Sequence, residues 1–338
     1  MKPCASAIIG AAWLVANTAL AQPVSAAGAQ EAPPEPQSNV TVHAPLSPKA
    51  IREQAGRFVD SYAAAANPEI DQIGRWRDPV CVRVLGLPHA DQATKIKARI
   101  ETVARAVGLP AAPPNCKANV EIVFSDQPQA AMDYVARRRD DVLGYYHATR
   151  ANKLKTVTRP IQSWYVTSTH SDGVDSGILA FSGVPTTFIQ RDNDVIDDPD
   201  NMTPTGCTGS LTPCYTSEFV NVFIVADSKA LDRVPLGAIA DDMVMLALSQ
   251  PRSLNGCNAL PGVMDRFAPS PCPGRDAPDG LTPPDAAYLD ALYSADLESR
   301  KSSEQADIAR RMAKILVSAS AAGAAGRAGT PSAGAKSP

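Results

Sequence analysis

The middle of the chain shows two β-strand patterns separated by one helical pattern. Valine occupies every second position over 80–85, and apolar residues alternate in the same way over 120–124. Between them, apolar residues recur every three or four positions over 93–107, and Gly108 and Pro110 mark the end of that helix. Strand, helix and strand of these lengths predict a β-α-β unit, whose strands are parallel neighbours in one sheet.

The remaining apolar patterns predict an α+β fold with a mixed β-sheet packed against helices. The run at 219–225 is the most apolar strand and is expected at the centre of the sheet. The helix at 236–250 is apolar on nearly all sides and is expected to be buried. Thr282 and Asp285 have the spacing of a capping box that opens another helix. Further helices are predicted near 51–62, 132–143 and 302–315, and further strands at 161–167 and 177–181.

The N-terminal end has the features of a cleaved signal peptide over residues 1–21. It combines Lys2, an apolar run too short to span a bilayer comfortably, and a small-residue cleavage pattern that ends at Ala21. The mature chain is then expected to begin at Gln22. This predicts an exported protein, periplasmic or extracellular, and no later segment is apolar enough to predict a membrane span.

Two segments of low complexity flank the central part of the chain. Residues 22–48 are rich in proline and alanine and predict a flexible spacer. Residues 318–338 form an Ala/Gly/Ser tail that we expect to be disordered. The part between them, 49–317, is predicted to be a single α+β globular domain, flanked by these tails.

Charge argues against nucleic acid as a partner. Loss of Lys2 with the signal peptide lowers the 32 basic residues to 31 against 35 acidic ones, a formal charge of −4. The one basic block, 137–139, is followed directly by Asp140 and Asp141 and is expected on the solvated face of a helix. Neither nucleic acid nor an anionic membrane surface is therefore expected.

Cysteine usage predicts a disulfide-bonded protein. Seven cysteines become six after removal of Cys4, and an even number in an exported chain favours three bridges. Six cysteines allow 15 pairings. The nearest-neighbour pairing is the one we predict, and no C-x-x-C spacing supports a zinc site instead. The predicted pairs are Cys81–Cys116, Cys207–Cys214 and Cys257–Cys272.

The candidates for catalysis are few and lie close together. None of the four histidines, His43, His89, His147 and His170, belongs to an H-E-x-x-H motif. His170 stands beside a hydroxyl and a carboxylate at a predicted strand end, where functional residues are common. The candidate hydrolase site consists of His170, Ser171, Asp172 and Asp175.

Two acidic segments offer further chemistry. The loop at 192–200 could bind calcium through clustered carboxylates, or it could be a solvated acidic loop. The calcium candidates are Asp192, Asp194, Asp197 and Asp198. Asp241 and Asp242 could form an acid/base pair, but in an otherwise apolar helix we expect them to be its one water-facing edge. No cofactor is expected.

Three short motifs follow one another through most of residues 49–317. They are Ile73-Gly-Arg-Trp76-x-x-Pro79-Val-x-Val82-x-Val84, the strand 219–225 continuing into the helix 236–250, and Gly280-Leu-Thr-Pro-x-Asp285-x-x-Tyr288-Leu-x-x-Leu-Tyr293. Together they resemble a group of uncharacterised exported proteobacterial proteins with a zincin-like layout. The resemblance implies that fold and a bacterial envelope location. Zinc-binding zincins carry H-E-x-x-H on the helix after the central strand, whereas this helix contains no histidine, so no metal ligand is implied.

These observations predict an exported soluble envelope protein that binds another protein or an envelope component without catalysing a reaction. The alternative hypothesis is a periplasmic hydrolase with its site near His170. A hydrolase predicts a pocket that gathers His170 with a carboxylate and a hydroxyl. A binding protein predicts an exposed surface suited to a partner.

Overall fold

The computed structural model describes residues 46–67, 70–143, 155–171, 215–295 and 301–328. Helices and strands are mixed along the described chain, which also contains short 3-10 helices at Asp140–Leu143 and Val263–Phe267. The helices are α1 (Pro48–Tyr62), α2 (Ala90–Ala106), α3 (Pro128–Arg138), α4 (Leu236–Leu248), α5 (Pro283–Ser294) and α6 (Lys301–Ala328). The strands are β1 (Ala65–Asn67), β2 (Ile70–Ile73), β3 (Val82–Leu85), β4 (Val120–Ser125), β5 (Ile161–Ser171) and β6 (Tyr215–Asp227).

A mixed four-stranded sheet organises the fold, with strand order β3-β4-β6-β5. Strands β3, β4 and β6 run parallel, and β5 pairs antiparallel with β6. The predicted β-α-β unit is confirmed, because α2 connects two parallel neighbours, and β6 is an inner strand as its apolar sequence predicts. A small antiparallel pair, β1 with β2, lies apart from this sheet. The α+β class is therefore correct.

The two faces of the sheet are covered unequally. Alternate residues point to opposite faces, so Val82, Val120, Val222 and their strand neighbours join one large core together with α1, α2, α4, α5 and α6. On the other face, Trp164 and Phe223 form a smaller core with Met132 of α3. The helical pattern predicted over 132–143 is divided between α3 and the following 3-10 helix.

Helix starts follow local chemistry. Ser47 caps α1, where its hydroxyl accepts the N–H of Ala50 at 3.2 Å, and Pro48 occupies the first turn. The capping box of Thr282 and Asp285 is confirmed at the start of α5. The helix α6 continues to Ala328, so the predicted boundary at 317 does not coincide with its end. No described helix is both long and apolar enough to cross a membrane.

Two of the three predicted disulfides are present. Cys81–Cys116 has an S–S distance of 2.01 Å and ties the start of β3 to the loop before β4. Cys257–Cys272 has an S–S distance of 2.12 Å and closes the loop around the second 3-10 helix. The pair Cys207–Cys214 lies outside the described residues, as do residues 1–45 and 329–338.

Glycine at position 86 is required by both conformation and space. Its φ is +83°, and a Cβ there would stand 2.0 Å from the carbonyl oxygen of Phe124. Gly108, after α2, has a similar φ of +93° but no atom within 4 Å of the Cβ position. The two glycines therefore share the conformational requirement and differ in the steric one.

We expect Gly86→Ala to lower the free energy of unfolding by about 1–3 kcal/mol more than Gly108→Ala does, because only the first variant forces β3 and β4 apart. Urea unfolding of both variants and the wild type measures the difference. Equal losses in the two variants would show that the close approach of Gly86 to Phe124 relaxes without cost.

Candidate functional site

The candidate hydrolase residues are not assembled in the described part of the chain. His170 and Ser171 lie at the end of β5, where their backbones pair with Thr216 and Tyr215 of β6. Asp172 and Asp175 lie outside the described residues. The hydrolase hypothesis therefore stays a prediction.

The metal hypothesis is also left open by the described residues. The calcium candidates Asp192, Asp194, Asp197 and Asp198 lie outside them. Among the residues that are described, no three His, Cys, Asp or Glu side chains come together as a metal site. His89 precedes the first residue of α2, is exposed and makes no capping hydrogen bond with its side chain.

The interpretation of Asp241 and Asp242 as the water-facing edge of their helix is wrong. Both residues of α4 are buried, with 7% and 2% exposed. Asp241 forms an ion pair with Arg99 of α2 and accepts the N–H of Leu281 at 2.8 Å. The helix is enclosed on all sides, and Asp241 serves to join it to its neighbours.

Asp242 belongs to a buried group of polar side chains contributed by three helices. It lines a small cavity together with Arg159, Leu246 and Met264, among other residues. The cavity has a volume of about 10 Å³, room for roughly one water molecule. This volume excludes a substrate, so the cavity is no active site.

Asp285 and Tyr62 complete this group beside Gly262. The Oδ2 atom of Asp285 accepts the N–H of Val263 at 2.8 Å and the N–H of Thr282 at 2.9 Å. Its Oδ1 atom and the hydroxyl of Tyr62 are buried without a hydrogen-bond partner among the described residues. Both oxygens stand close to the Cβ position of Gly262, at 2.9 and 2.5 Å, so any side chain there would displace them.

Burial controls the protonation of this group. It raises the pKa of Asp242 well above its usual value of 3.8, and the nearby carboxylate of Asp285 raises that pKa further. Burial also raises the pKa of Asp285 to about 6, although the N–H groups of Thr282 and Val263 act in the opposite direction. The pKa of the Tyr62 hydroxyl is raised well above 10.0, chiefly by burial and then by Asp285. The group is a structural element that favours neutral side chains.

A wide surface groove borders β3, the strand at one edge of the sheet. Its volume is about 500 Å³, enough for several residues of a bound chain. Three segments form its walls: the strand itself, one side of α2, and the loop before β4. The lining residues are Cys81, Val82, Arg83, Val84, Ala93, Thr94, Lys97, Pro114, Cys116, Lys117 and Ala118.

One edge of β3 borders this groove, and its first residue, Val82, is buried with 3% of its surface exposed. The carbonyl of Cys81 accepts the N–H groups of Asn119 and Val120 at 3.0 and 3.1 Å, which directs the backbone of every second residue toward β4. The intervening residues, Val82 and Val84, therefore direct their N–H and C=O groups away from β4. No described strand pairs with that side of β3.

Every charged residue that lines the groove is basic. Arg83 is half exposed and pairs with Glu121 of the adjacent strand. Lys97 lies 3.4 Å from Glu101, one turn further along α2. Lys117 is exposed and has no ion pair within the described ranges. The charged side chains of the groove lining are thus all cationic, and Lys117 adds a positive charge that no described acidic residue pairs with.

The disulfide gives the groove a fixed wall. Cys81 and Cys116 both line it, and their bond holds the loop at 110–119 against the start of β3. The side-chain amide of Asn119 reinforces the same contact, because its Oδ1 accepts the N–H of Cys81 at 2.7 Å and its Nδ2 donates to the carbonyl of Pro79 at 3.0 Å. The groove is therefore preformed.

Sequence reasoning missed this groove and identified only its parts. The strand, the helix and the Cys81–Cys116 pair were all predictable, and β3 at the sheet edge was not. No family model matches the chain, and neither a curated protein nor a solved structure shows significant similarity to it. Its function therefore has to be argued from the groove itself.

Proposed function

We propose that this chain is an exported, non-catalytic protein of the bacterial envelope that binds another protein through the groove beside β3. The observation that carries the proposal is a surface groove of about 500 Å³ whose charged lining residues are all cationic and whose wall is held by the Cys81–Cys116 disulfide. Clefts of a few hundred Å³ are common sites of binding, and a cationic lining favours an anionic partner surface.

Two further features support the export part of the proposal. The disulfides Cys81–Cys116 and Cys257–Cys272 suit an oxidising compartment, in which such bonds form and persist. The described helices contain no membrane span, which is compatible with an exported soluble protein. No described contact favours the hydrolase alternative near His170.

Site-specific photo-cross-linking in the producing cells tests the binding function. A photoreactive amino acid at position 117 in the groove is expected to capture one defined protein, which mass spectrometry identifies. The purified partner is expected to cross-link to the same position when it is mixed with the purified protein. The control carries the same group at Lys314, an exposed position on α6 that does not line the groove. Equal capture from both positions, or none from position 117 of the folded protein, would contradict the proposal.

A further inference from the structure

We propose that Asn255 is a self-modification site, whose side-chain amide is converted to a carboxylate after attack by the backbone nitrogen of Gly256. The carboxylate that forms then pairs with Arg159. Neither Asn255 nor Arg159 lines the groove beside β3, so this site is independent of the proposed binding function. Three observations support it: the sequence of the loop, its backbone conformation and one side-chain contact.

The loop that follows α4 presents an Asn-Gly pair to solvent, the one such pair in the sequence. Asn255 is exposed, and its own N–H donates to the hydroxyl of Ser253 at 3.2 Å. The N–H of Gly256 donates no hydrogen bond to any described residue. The attacking nitrogen is therefore unengaged, and it belongs to the residue next to its target, so the attack is intramolecular and gains from proximity.

The backbone requires glycine directly after Asn255. The φ of Gly256 is +66°, and a Cβ there would stand 2.8 Å from the Cβ of Ala268. The next residue fixes this conformation, because Cys257 is bonded to Cys272 and donates its N–H to Asp265 at 2.7 Å. Since glycine carries no side chain, its nitrogen is also the least hindered nucleophile that the backbone can offer.

The reaction consumes water and no other reagent. The nitrogen of Gly256 bonds to Cγ of Asn255 and gives up its proton, while the Cγ–Nδ2 bond breaks and the amide nitrogen leaves as ammonia. Water then opens the five-membered imide ring at one of its two carbonyl carbons, which gives aspartate or isoaspartate. Nothing is oxidised or reduced in either step.

Arg159 contacts the group that reacts. Its guanidinium donates to Oδ1 of Asn255, the oxygen that gains negative charge as the ring closes. A cationic donor at this oxygen lowers the barrier to ring closure. In the aspartate product the same guanidinium meets a carboxylate, so a hydrogen bond becomes an ion pair. Arg159 also lines the cavity beside Asp242, and the modification thereby links the surface loop to the buried polar group.

Peptide mapping of the mature, disulfide-bonded protein tests the proposal. The protein is incubated at pH 6.5 and at pH 8.5 and digested with pepsin at acidic pH, and the mass and isoaspartate content of each peptide are measured. We expect the peptide with Asn255 to gain the mass difference between an amide and an acid. The gain should be faster at pH 8.5, because the attacking nitrogen reacts in its deprotonated form.

Two references make the result decisive. Asn258 lies in the same loop, is followed by alanine and should stay unchanged. The reduced chain in urea shows how fast Asn255 converts without the fold. Conversion of Asn258 at the same rate, or a native protein that keeps Asn255 intact while the unfolded chain converts it, would overturn the proposal.

Arginine variants test the part played by Arg159. Arg159→Met is expected to slow conversion about three- to tenfold, whereas Arg159→Lys keeps a cationic donor and part of the rate. The control is Arg252→Met, which removes the same charge from an exposed position close to Asn255 in the chain and should keep the wild-type rate. A wild-type rate in Arg159→Met, or equal slowing in Arg252→Met, would overturn this role.

The variant Asn255→Asp reproduces the aspartate product. We expect its midpoint of urea unfolding at pH 7.5 to equal or exceed that of the wild type, because Arg159 pairs with the new carboxylate. Any gain should disappear when Arg159→Met is added, since the pair is then broken. A midpoint below that of the wild type would overturn the pairing of the product with Arg159.

Discussion

Replacement of Arg75 by methionine is expected to lower the free energy of unfolding by about 3–5 kcal/mol. Arg75 is 2% exposed, and its guanidinium pairs with Glu304 of α6, which is 1% exposed. The variant removes the guanidinium from that buried carboxylate, to which the N–H of Ile73 still donates at 2.8 Å. An uncompensated buried charge is one of the most destabilising changes a single substitution can produce.

The loss is large because the side chain of Arg75 joins α6 to the end of α5. Its Nη1 atom donates to the carbonyls of Leu292 and Ala295 at 2.7 and 3.2 Å, near the end of α5. The backbone carbonyl of residue 75 accepts the N–H of Phe219 in β6 at 3.1 Å, a contact that the substitution leaves in place. Methionine has no donor for the α5 carbonyls, so they also lose a hydrogen bond in a dry environment.

Urea unfolding of three variants tests the ion pair. Lys49→Met is the control, because Lys49 is 82% exposed in a pair with Glu53 and is expected to change stability by less than about 1 kcal/mol. Arg75→Met together with Glu304→Leu is expected to recover part of the loss, since the orphaned charge is removed. A loss below about 1 kcal/mol for Arg75→Met alone would show that the carboxylate becomes neutral or reaches water.

The spacing of apolar residues predicts the elements whose secondary structure follows from their own local sequence. The alternation over 120–124 identifies β4, and the stripe over 93–107 identifies α2, because each element has one pattern that only one secondary structure can bury. The inner position of β6 also follows, since a strand apolar on both faces must be covered on both.

Contacts between distant segments leave no such signal. Asp241 occupies an apolar helix, and only its partners Arg99 and Leu281, 142 and 40 residues away, explain its burial. Arg75 and Glu304 are 229 residues apart. Each of these residues is charged and would by its type be expected at the surface. The sequence around it is the same whether or not a partner lies elsewhere in the chain, so local sequence does not reveal its burial.

The groove was unpredictable for a different reason. Its lining comes from residues whose local structure was predictable, but its existence depends on which strand stands at the edge of the sheet. The β-α-β unit places β3 beside β4, but it does not determine whether another strand pairs with the opposite edge of β3. The position of β6 on the far side of β4 makes β3 the edge, and β6 begins 90 positions after the end of β4, at Tyr215 against Ser125.

Stability is expected to fall as the pH rises from about 4 to above 6, because of the buried carboxylates Asp242 and Asp285. Both have a pKa raised above the usual 3.8, so the folded protein holds their protons more tightly than the unfolded chain does. That contribution is complete below pH 3.8 and is lost as the pH passes through the folded-state values. For Asp285, a pKa of about 6 corresponds to about 3 kcal/mol, and Asp242 adds to it.

The neighbours of the two carboxylates do not cancel this effect. Asp265 adds negative charge near Asp285, while its own nearest cation, Arg275, lies 3.2 Å from it. Arg159 lines the same cavity as Asp242, and its guanidinium is engaged with Asn255. Carboxyls with a lowered pKa, such as Asp307, lose their contribution at acidic pH and leave the window above pH 4.5 unaffected.

Unfolding in urea between pH 4.5 and 7.5 measures this dependence in the wild type and in Asp242→Asn. The variant carries a neutral side chain of nearly the same shape, so its stability should vary less with pH and exceed that of the wild type at pH 7.5. Asp290→Asn, an exposed position on α5, is the control and should keep the wild-type slope. Parallel curves for the wild type and Asp242→Asn would mean that Asp242 is ionised at all these pH values. The cavity beside it would then have to admit water or a cation, and the buried polar group would be a solvated site instead of a neutral one.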